Sequence, residues 1–221
     1  DSLCAEKSKI CKHWIDESKK AYMNADEKRT IQEMLITKWG SDQANNGIIY
    51  CKNCGLLYCD PVPDYNKEVS SIIYNEEYCT KHRNPEENAR KVRHDRYKNM
   101  LKSILKKLDL PISNKINHLD IGAGLGDVVV GGTLLGLNST GLDLSESVCE
   151  FARKTNKINM LSCSIFDKKL KPHSYDIITL FDIIEHVPNP GEFIKRATEL
   201  LKPNGGLVID TPNEKGLVMR I

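Results

Sequence analysis

After residue 85, short apolar runs alternate with segments long enough to form helices, and this alternation constrains the fold more than any other feature of the sequence. The apolar runs are residues 116–121, 139–142, 159–163, 176–181 and 206–209. Alternating strands and helices imply parallel strands that are joined by right-handed crossovers. A run that is apolar almost throughout, such as 176–181, is typical of a strand buried on both faces. The pattern predicts an α/β fold with a doubly wound, mostly parallel sheet.

The sequence divides near residue 85. Residues 1–84 are polar, show weak periodicity and contain six of the eight cysteines, whereas residues 85–221 carry the strand and helix alternation. Pro85 suits the first position of a helix, and Glu86 and Glu87 suit the positive end of its dipole. We therefore expect a small Cys-containing region over 1–84, followed by an α/β core over 85–221.

The charge balance argues against nucleic acid as a partner. Lys and Arg number 32 against 30 Asp and Glu, for a formal net charge of +2, so the chain has no broad basic field. No segment approaches the roughly 18 apolar residues that span a bilayer. A soluble, cytoplasmic protein without membrane contact is the default expectation.

The most informative segment is HLDIGAGLGD, residues 118–127, in which an apolar run leads into a loop with glycine at 122, 124 and 126. Glycine lets the backbone turn sharply and lets a ligand approach the main chain. The helix that follows would point its free N–H groups at such a ligand. The sequence therefore predicts a ligand-binding loop at the end of the first strand of the core.

Two aspartates indicate which ligand this loop would bind. The glycine spacing is G-x-G-x-G rather than the G-x-G-x-x-G of dinucleotide sites. Asp120 would repel a pyrophosphate but suits a cationic, amino-acid-like ligand. Asp143 ends the second strand, where a carboxylate can accept hydrogen bonds from a ribose diol. The alternative is a helix-capping or loop aspartate. The residues favour S-adenosylmethionine over a dinucleotide.

With these pieces in order, residues from about 90 to 212 resemble the class I S-adenosylmethionine-dependent methyltransferases, which have a Rossmann-like fold. The matching segments are HLDIGAGLGD, TGLDLSES, YDIITLFDIIEHVPNP and LLKPNGGLVIDTPN. The Glu-His-Val-x-x-Pro segment is similar to a branch of quinone-biosynthesis, sugar and other small-molecule methyltransferases.

The resemblance implies roles for individual residues. Asp120 and the loop backbone would hold the methionine part, Asp143 the ribose, Leu144 the adenine, and Phe181 would border the sulfonium. The loop positions in question are Gly122, Ala123, Gly124 and Gly126. Family members commonly bind the adenine amine with an acid after the third strand. Here that position is Ser164, with Ile165 next, so the Ser164 hydroxyl or the Ile165 N–H would have to substitute.

Glu185 and His186 follow the fourth strand and are the catalytic candidates. Methyl transfer is an in-line displacement, so much of its catalysis can come from positioning. An oxygen or nitrogen acceptor also has to lose a proton, and histidine is suited to accept it near neutral pH. The alternative is that Glu185 and His186 only brace their loop through hydrogen bonds.

The cysteine-bearing region contains one C-x-x-C-G knuckle, Cys51 to Cys54, which would supply half of a tetrahedral zinc site. The segment YCKNCGLLYCDPVPD resembles the second zinc knuckle found ahead of many methyltransferase domains of this type. Cys4 and Cys11 are the thiols that could complete a structural zinc site. A metal-free remnant, or pairing and substitution by Cys59 and Cys79, are the alternatives, because sequence alone does not give connectivity.

The sequence ends at Ile221, shortly after the fifth apolar run. In the resembling proteins a helix and two further strands follow that point. We therefore expect the core to be incomplete at its C-terminal end, with those strands missing.

The leading hypothesis is a methyltransferase that acts on an oxygen or nitrogen of a small molecule, with a sugar or secondary metabolite favoured. A degenerate methyltransferase fold that serves as a binding or scaffold module is the alternative. An NAD-dependent dehydrogenase is disfavoured by the glycine spacing and by Asp120. Methylation of RNA or protein stays open, because a fold does not choose a substrate. The sequence does not predict the oligomeric state.

Overall fold

The computed structural model describes residues 47–50, 57–60, 87–187 and 189–211. The chain forms two compact units, residues 1–64 and 65–221. Within the first unit, strands β1 (Gly47–Tyr50) and β2 (Leu57–Asp60) pair antiparallel, with Gly47 opposite Asp60. The connection between these strands contains the C-x-x-C knuckle. All four predicted zinc ligands (Cys4, Cys11, Cys51 and Cys54) lie outside the described residues, so the zinc site stays a prediction.

The second unit contains a five-stranded parallel sheet. Its strands are β3 (Asn117–Ile121), β4 (Asn138–Asp143), β5 (Asn159–Ser162), β6 (Tyr175–Phe181) and β7 (Leu201–Asp210). Each coincides with one predicted apolar run, and every neighbouring pair is parallel. The predicted α/β class and the doubly wound parallel sheet are therefore confirmed.

Strand β7 is longer than its apolar run. It begins at Leu201, which lies opposite Tyr175, and its regular register with β6 starts only at Gly206, opposite Ile177. The irregular pairing between these two points accommodates a polar stretch, and such a stretch carries no strand periodicity. The strands expected to be missing would follow Thr211, where the described residues end, so that expectation is not tested.

The described part of the second unit also contains helices. They are α1 (Glu87–Lys107), α2 (Asp127–Leu135), α3 (Glu146–Asn156) and α4 (Pro190–Leu200), with a short 3-10 helix over Ile184–His186. Ser145 caps α3 by accepting a hydrogen bond from the Val148 N–H, as expected for a serine at that position. Asn189 caps α4 in the same way, at the Glu192 N–H.

Apolar side chains from the central strands form the core. Leu119, Leu142, Ile178 and Leu180 are almost fully buried and pack against Leu200 of α4. No described helix is both long and apolar enough to cross a bilayer.

The strand order is β5-β4-β3-β6-β7. The chain therefore runs outward from β3 in one direction and then returns to the other side of β3 to form β6. Ligands of open α/β sheets bind at such a switch point, outside the carboxyl ends of the strands. The fold thus places its candidate site where β3, β4 and β6 end.

Candidate cofactor site at the carboxyl ends of the strands

The loop after β3 has the backbone that its glycines predict. Gly122, Gly124 and Gly126 have φ values of 73°, 52° and 78°, in the left-handed region. A Cβ at Gly122 would come within 2.6 Å of Ile183, so that glycine is also needed for packing. A Cβ at Gly124 would meet nothing within 4 Å. The backbone at Gly124 therefore borders open space, as a loop that receives a ligand should.

The start of the loop is fixed to the neighbouring strand. The N–H groups of Gly122 and Ala123 both donate to the carbonyl oxygen of Leu142, at 2.8 and 3.0 Å. Gly126 then donates to the Ala123 carbonyl at 2.8 Å, and α2 begins at the next residue. The structure thus brings all four predicted loop residues together at the end of β3.

Asp120 is a buried carboxyl at the base of this loop, with an exposed fraction of 2%. Its Oδ1 accepts a hydrogen bond of 2.6 Å from the Thr179 hydroxyl on β6. Burial raises the pKa of Asp120 to about 7, and the charges of Asp143 and Asp127 add to that rise, while the hydrogen bond opposes it. Among the described residues, no Lys, Arg or His forms an ion pair with Asp120. This site is suited to a cation that comes from a ligand.

Asp143 ends β4 and connects two loops. Its Oδ2 accepts a hydrogen bond of 3.0 Å from the Gly124 N–H, and its Oδ1 accepts one of the same length from the Ser145 N–H. Burial raises the pKa of Asp143, and these backbone hydrogen bonds oppose the rise. The Leu144 N–H is a third backbone donor to this carboxylate. Because each oxygen has two lone pairs, the carboxylate keeps capacity for a hydrogen bond from a ligand hydroxyl. Asp143 therefore stabilises the loop, as in the alternative interpretation, and still has acceptor capacity for a ribose.

The residues predicted near adenine lie beside the end of β4. The Cys163 N–H donates to the Asp143 carbonyl at 3.1 Å, which brings the loop after β5 next to Leu144. The Ser164 hydroxyl accepts a hydrogen bond from the Phe166 N–H at 3.2 Å. Ile165 is buried in the core.

Tyr97 on α1 contacts the candidate site, although no sequence motif predicts that contact. Its ring stacks on Phe181 at the end of β6, with ring centroids 6.1 Å apart. Burial raises the pKa of the Tyr97 phenol, and the charge of Asp127 raises it further. Asp120 and Asp182 act in the same direction, so the phenol lies among the carboxyls of the site.

Helix α1 also contacts the start of α2. Arg93 Nε donates to one oxygen of Asp127 and His94 Nε2 lies within hydrogen-bond distance of the other, both at 2.9 Å. Asp127 directly follows the glycine loop, so this contact fixes α1 against the loop. Sequence reasoning missed the pair because about thirty residues separate α1 from Asp127 and no spacing rule connects them.

Glu185 and His186 lie on the 3-10 helix that follows β6. Glu185 is exposed and accepts a hydrogen bond of 3.1 Å from the Thr211 hydroxyl, and the His186 N–H donates to the Ile183 carbonyl at 3.0 Å. The preceding residue Asp182 has a φ of 51°, which is strained for a residue with a side chain. Both catalytic candidates are therefore near the carboxyl end of β6, and the Thr211 contact is of the bracing kind.

This fold, with a glycine loop and acids at two strand ends, defines a nucleotide-binding α/β enzyme, and comparison with known proteins gives its family. Residues 92–220 match the family model described as a methyltransferase domain. The chain belongs to the class I S-adenosylmethionine-dependent methyltransferases, a family of enzymes whose cofactor is S-adenosylmethionine.

Two curated relatives have the same name. The ubiquinone biosynthesis O-methyltransferase of Rickettsia conorii is 31% identical over 206 residues, which cover 86% of this chain and 71% of that protein. The ubiquinone biosynthesis O-methyltransferase of Hydrogenovibrio crunogenus is 35% identical over 108 residues, which cover 46% of this chain and 44% of that protein. The match thus spans less than half of the second relative's length.

A solved structure is similar at the level of the fold. The S-adenosylmethionine-dependent methyltransferase from Archaeoglobus fulgidus has 21% identity and a TM-score of 0.43, with 57% of this chain and 59% of that chain covered.

Proposed function

We propose that this protein transfers the methyl group of S-adenosylmethionine to an oxygen of a small molecule. The observation that carries the proposal is the buried carboxyl of Asp120, which has no cationic partner among the described residues and lies below the open backbone of Gly124. Oxygen is favoured over nitrogen because the two curated relatives are named as O-methyltransferases. Sugars, secondary metabolites and quinone precursors are the acceptor classes to test.

The cofactor fits the groups that are present. Asp120 would pair with its amino group, which is a cation near neutral pH because α-amino groups titrate with a pKa of about 8. The backbone of Gly122, Ala123, Gly124 and Gly126 would lie along its methionine part. Asp143 would accept hydrogen bonds from the ribose hydroxyls through its remaining lone pairs.

Adenine and the sulfonium would be held by other residues. Leu144 would pack on the adenine ring, and the Ser164 hydroxyl or the Ile165 N–H would recognise its edge. Ile165 N–H donates no hydrogen bond within the described residues, so it is available as a donor. Phe181, held by the ring of Tyr97, would border the sulfonium.

When bound, the cofactor supplies an electrophilic methyl carbon on a positively charged sulfur. His186 would accept the proton that the acceptor hydroxyl has to lose on methylation. Glu185, held by Thr211, would orient the loop that carries His186.

Two measurements test the proposal. Calorimetric titration with S-adenosylhomocysteine, with NADH as the control, should show binding of the former alone. Mass spectrometry should then detect a methylated product from at least one hydroxyl acceptor in a panel of phenols, quinols and sugars. Failure of the folded protein to bind S-adenosylhomocysteine would refute the proposal. Tight binding without turnover on any acceptor would favour the scaffold alternative.

A further inference from the structure

A chain of four buried polar side chains runs through the centre of the sheet. His118 lies between two hydroxyls: its Nδ1 is 3.1 Å from Ser139 Oγ on β4, and its Nε2 is 2.9 Å from Thr179 Oγ1 on β6. Thr179 continues the chain to Asp120 Oδ1 at 2.6 Å. The exposed fractions are 0% for His118 and Thr179, 2% for Asp120 and 7% for Ser139. The carboxyl that the proposed function assigns to the cofactor is thus connected to a histidine that the function does not use.

The hydrogen positions in this chain follow from Asp120. An ionised carboxylate can only accept, so Thr179 has to donate its one hydroxyl hydrogen to Asp120. Thr179 can then only accept from His118, which requires hydrogen on Nε2. Burial lowers the pKa of His118 to about 4, so the ring is neutral and its Nδ1 accepts from the Ser139 hydroxyl.

When Asp120 is protonated, the hydrogen bonds of the chain can run in the opposite direction. The carboxylic acid can donate to Thr179, Thr179 can donate to His118 Nε2, and His118 Nδ1–H can donate to Ser139. Asp120, Thr179 and His118 then each donate to the next group along the chain, and Ser139 changes from donor to acceptor. The two directions correspond to the two tautomers of neutral His118.

Helix α2 leaves room for this arrangement. A Cβ at Gly132 would collide with the Ser139 hydroxyl and would come within 3.0 Å of His118 Nδ1. Glycine inside a helix is unfavourable by about 0.5–1 kcal/mol relative to alanine, so its presence at this point needs a packing reason. Accommodation of the His118 and Ser139 pair supplies that reason.

We propose that Ser139, His118 and Thr179 form a hydrogen-bond relay whose direction follows the protonation of Asp120. Ser139 and His118 are then positioning residues: they aim the Thr179 hydroxyl at the carboxylate that receives the cofactor's amino group. This second statement rests on the proposed function, whereas the relay itself does not.

Other groups around Asp120 bear on its titration. Asp143 at the end of β4 and Asp127 at the start of α2 both oppose its ionisation, and the Tyr97 phenol faces it from α1. The carboxyl is thus surrounded by acids, and the Thr179 hydroxyl is the described side chain that favours its ionised form. Removal of that hydroxyl should therefore move the titration of Asp120 to higher pH.

The first test reads the tautomer of His118 directly. Long-range proton–nitrogen correlation on the full chain, labelled with nitrogen-15 histidine and assigned with His118→Leu, distinguishes Nε2–H from Nδ1–H. We expect Nε2–H at about pH 8.5, where Asp120 is ionised, and Nδ1–H at about pH 5.5, where it is protonated and His118 is still neutral. The same tautomer at both pH values would overturn the relay.

The second test measures the affinity for S-adenosylhomocysteine as a function of pH. As the pH is lowered, protonation of Asp120 should weaken binding. In Thr179→Val this loss of affinity should begin about one pH unit higher than in the wild type, because one hydrogen bond to the carboxylate is lost. Thr179→Ser keeps the hydroxyl and should retain the wild-type profile. Thr140→Val is the matched control, since its hydroxyl on β4 accepts from Asn159 instead. A wild-type profile in folded Thr179→Val would contradict the role of the hydroxyl.

Ser139→Ala and His118→Leu test the positioning residues. Both should shift the pH profile in the same direction as Thr179→Val but by less. Thr179 keeps its hydroxyl in these variants, but the hydroxyl is no longer oriented toward Asp120. Unshifted profiles in both folded variants would overturn the positioning role. If the wild type fails to bind S-adenosylhomocysteine, the proposed function fails, and the tautomer measurement still decides the relay.

Discussion

Asp120 and Asp143 have the same side chain and end neighbouring strands, yet their surroundings give them different chemistry. The backbone N–H groups of Gly124, Leu144 and Ser145 donate to the carboxylate of Asp143, whereas a single hydroxyl donates to Asp120. Backbone donors in fixed positions favour the ionised form of a carboxylate. Asp143 is therefore suited to accept from neutral hydroxyls, and Asp120 to pair with a cation.

Replacement of Asp143 with alanine should weaken binding of S-adenosylhomocysteine by about tenfold or more, because each hydrogen bond to a charged group contributes about 1.5–3 kcal/mol. Asp176→Ala is the control. Asp176 lies at the opposite end of the sheet and accepts from Lys202 at 2.7 Å, so its loss should lower stability and leave the affinity unchanged. Calorimetric titration of both variants checks this; equal affinities would remove Asp143 from the site.

His186→Ala should lower the turnover number by about a hundredfold, which is the lower range for loss of a general base. The dissociation constant for S-adenosylhomocysteine should stay the same, because His186 would contact the acceptor and not the cofactor. His173→Asn is the control, because His173 lies before the amino end of β6. Its φ is 53°, a value that asparagine tolerates. Parallel loss of turnover and cofactor affinity in His186→Ala would instead indicate a structural role.

At the scale of elements, the position of α1 decides what the site contains. Tyr97, Arg93 and His94 reach the carboxyl ends of the strands only because α1 crosses closely over α2. That close approach depends on Gly131, where a Cβ would lie 2.7 Å from the Lys98 backbone nitrogen and 2.9 Å from Tyr97 Cβ. Helices approach this closely where a residue without a side chain lies at the crossing.

Gly131→Ala should therefore lower the free energy of unfolding by about 1–3 kcal/mol, because α1 has to move away from α2. Gly191→Ala is the matched substitution in α4. A Cβ there would have its nearest neighbour at 3.6 Å, so alanine should raise the free energy of unfolding by about 0.5–1 kcal/mol. Urea denaturation of the two variants should give opposite signs. A neutral Gly131→Ala would show that α1 is not held by this crossing.

At the scale of the molecule, the sequence predicted the features that repeat or that end a strand. The five strands followed from apolar runs, and Asp120 and Asp143 followed from their positions at the carboxyl ends of two such strands. Contacts between distant segments could not be predicted, because no periodicity connects Tyr97 to Phe181. His118 looked like one more residue of an apolar strand, and only the sheet order places it beside Thr179.

Asp120 and His118, the two titratable groups of the buried chain, also contribute to the pH dependence of stability of the molecule. Burial raises the pKa of Asp120 to about 7, so the folded state takes up a proton that the unfolded state does not, and stability falls as pH rises from about 4 to 7. Burial lowers the pKa of His118 to about 4, so the unfolded state takes up the proton, and stability rises with pH from about 4 to 6.5. Between about pH 5 and 6.5 the two contributions oppose each other.

Removal of either Asp120 or His118 should reveal how the other makes the free energy of unfolding depend on pH. In that window the free energy of unfolding of Asp120→Asn should rise with pH by up to about 1.4 kcal/mol per pH unit, and that of His118→Leu should fall. The burial of Asp143 is common to both variants, so its titration does not affect the difference between the two slopes. Urea denaturation of the cofactor-free protein at several pH values measures both slopes. Equal slopes in the two variants would mean that the buried histidine and the buried carboxyl do not titrate as their surroundings require.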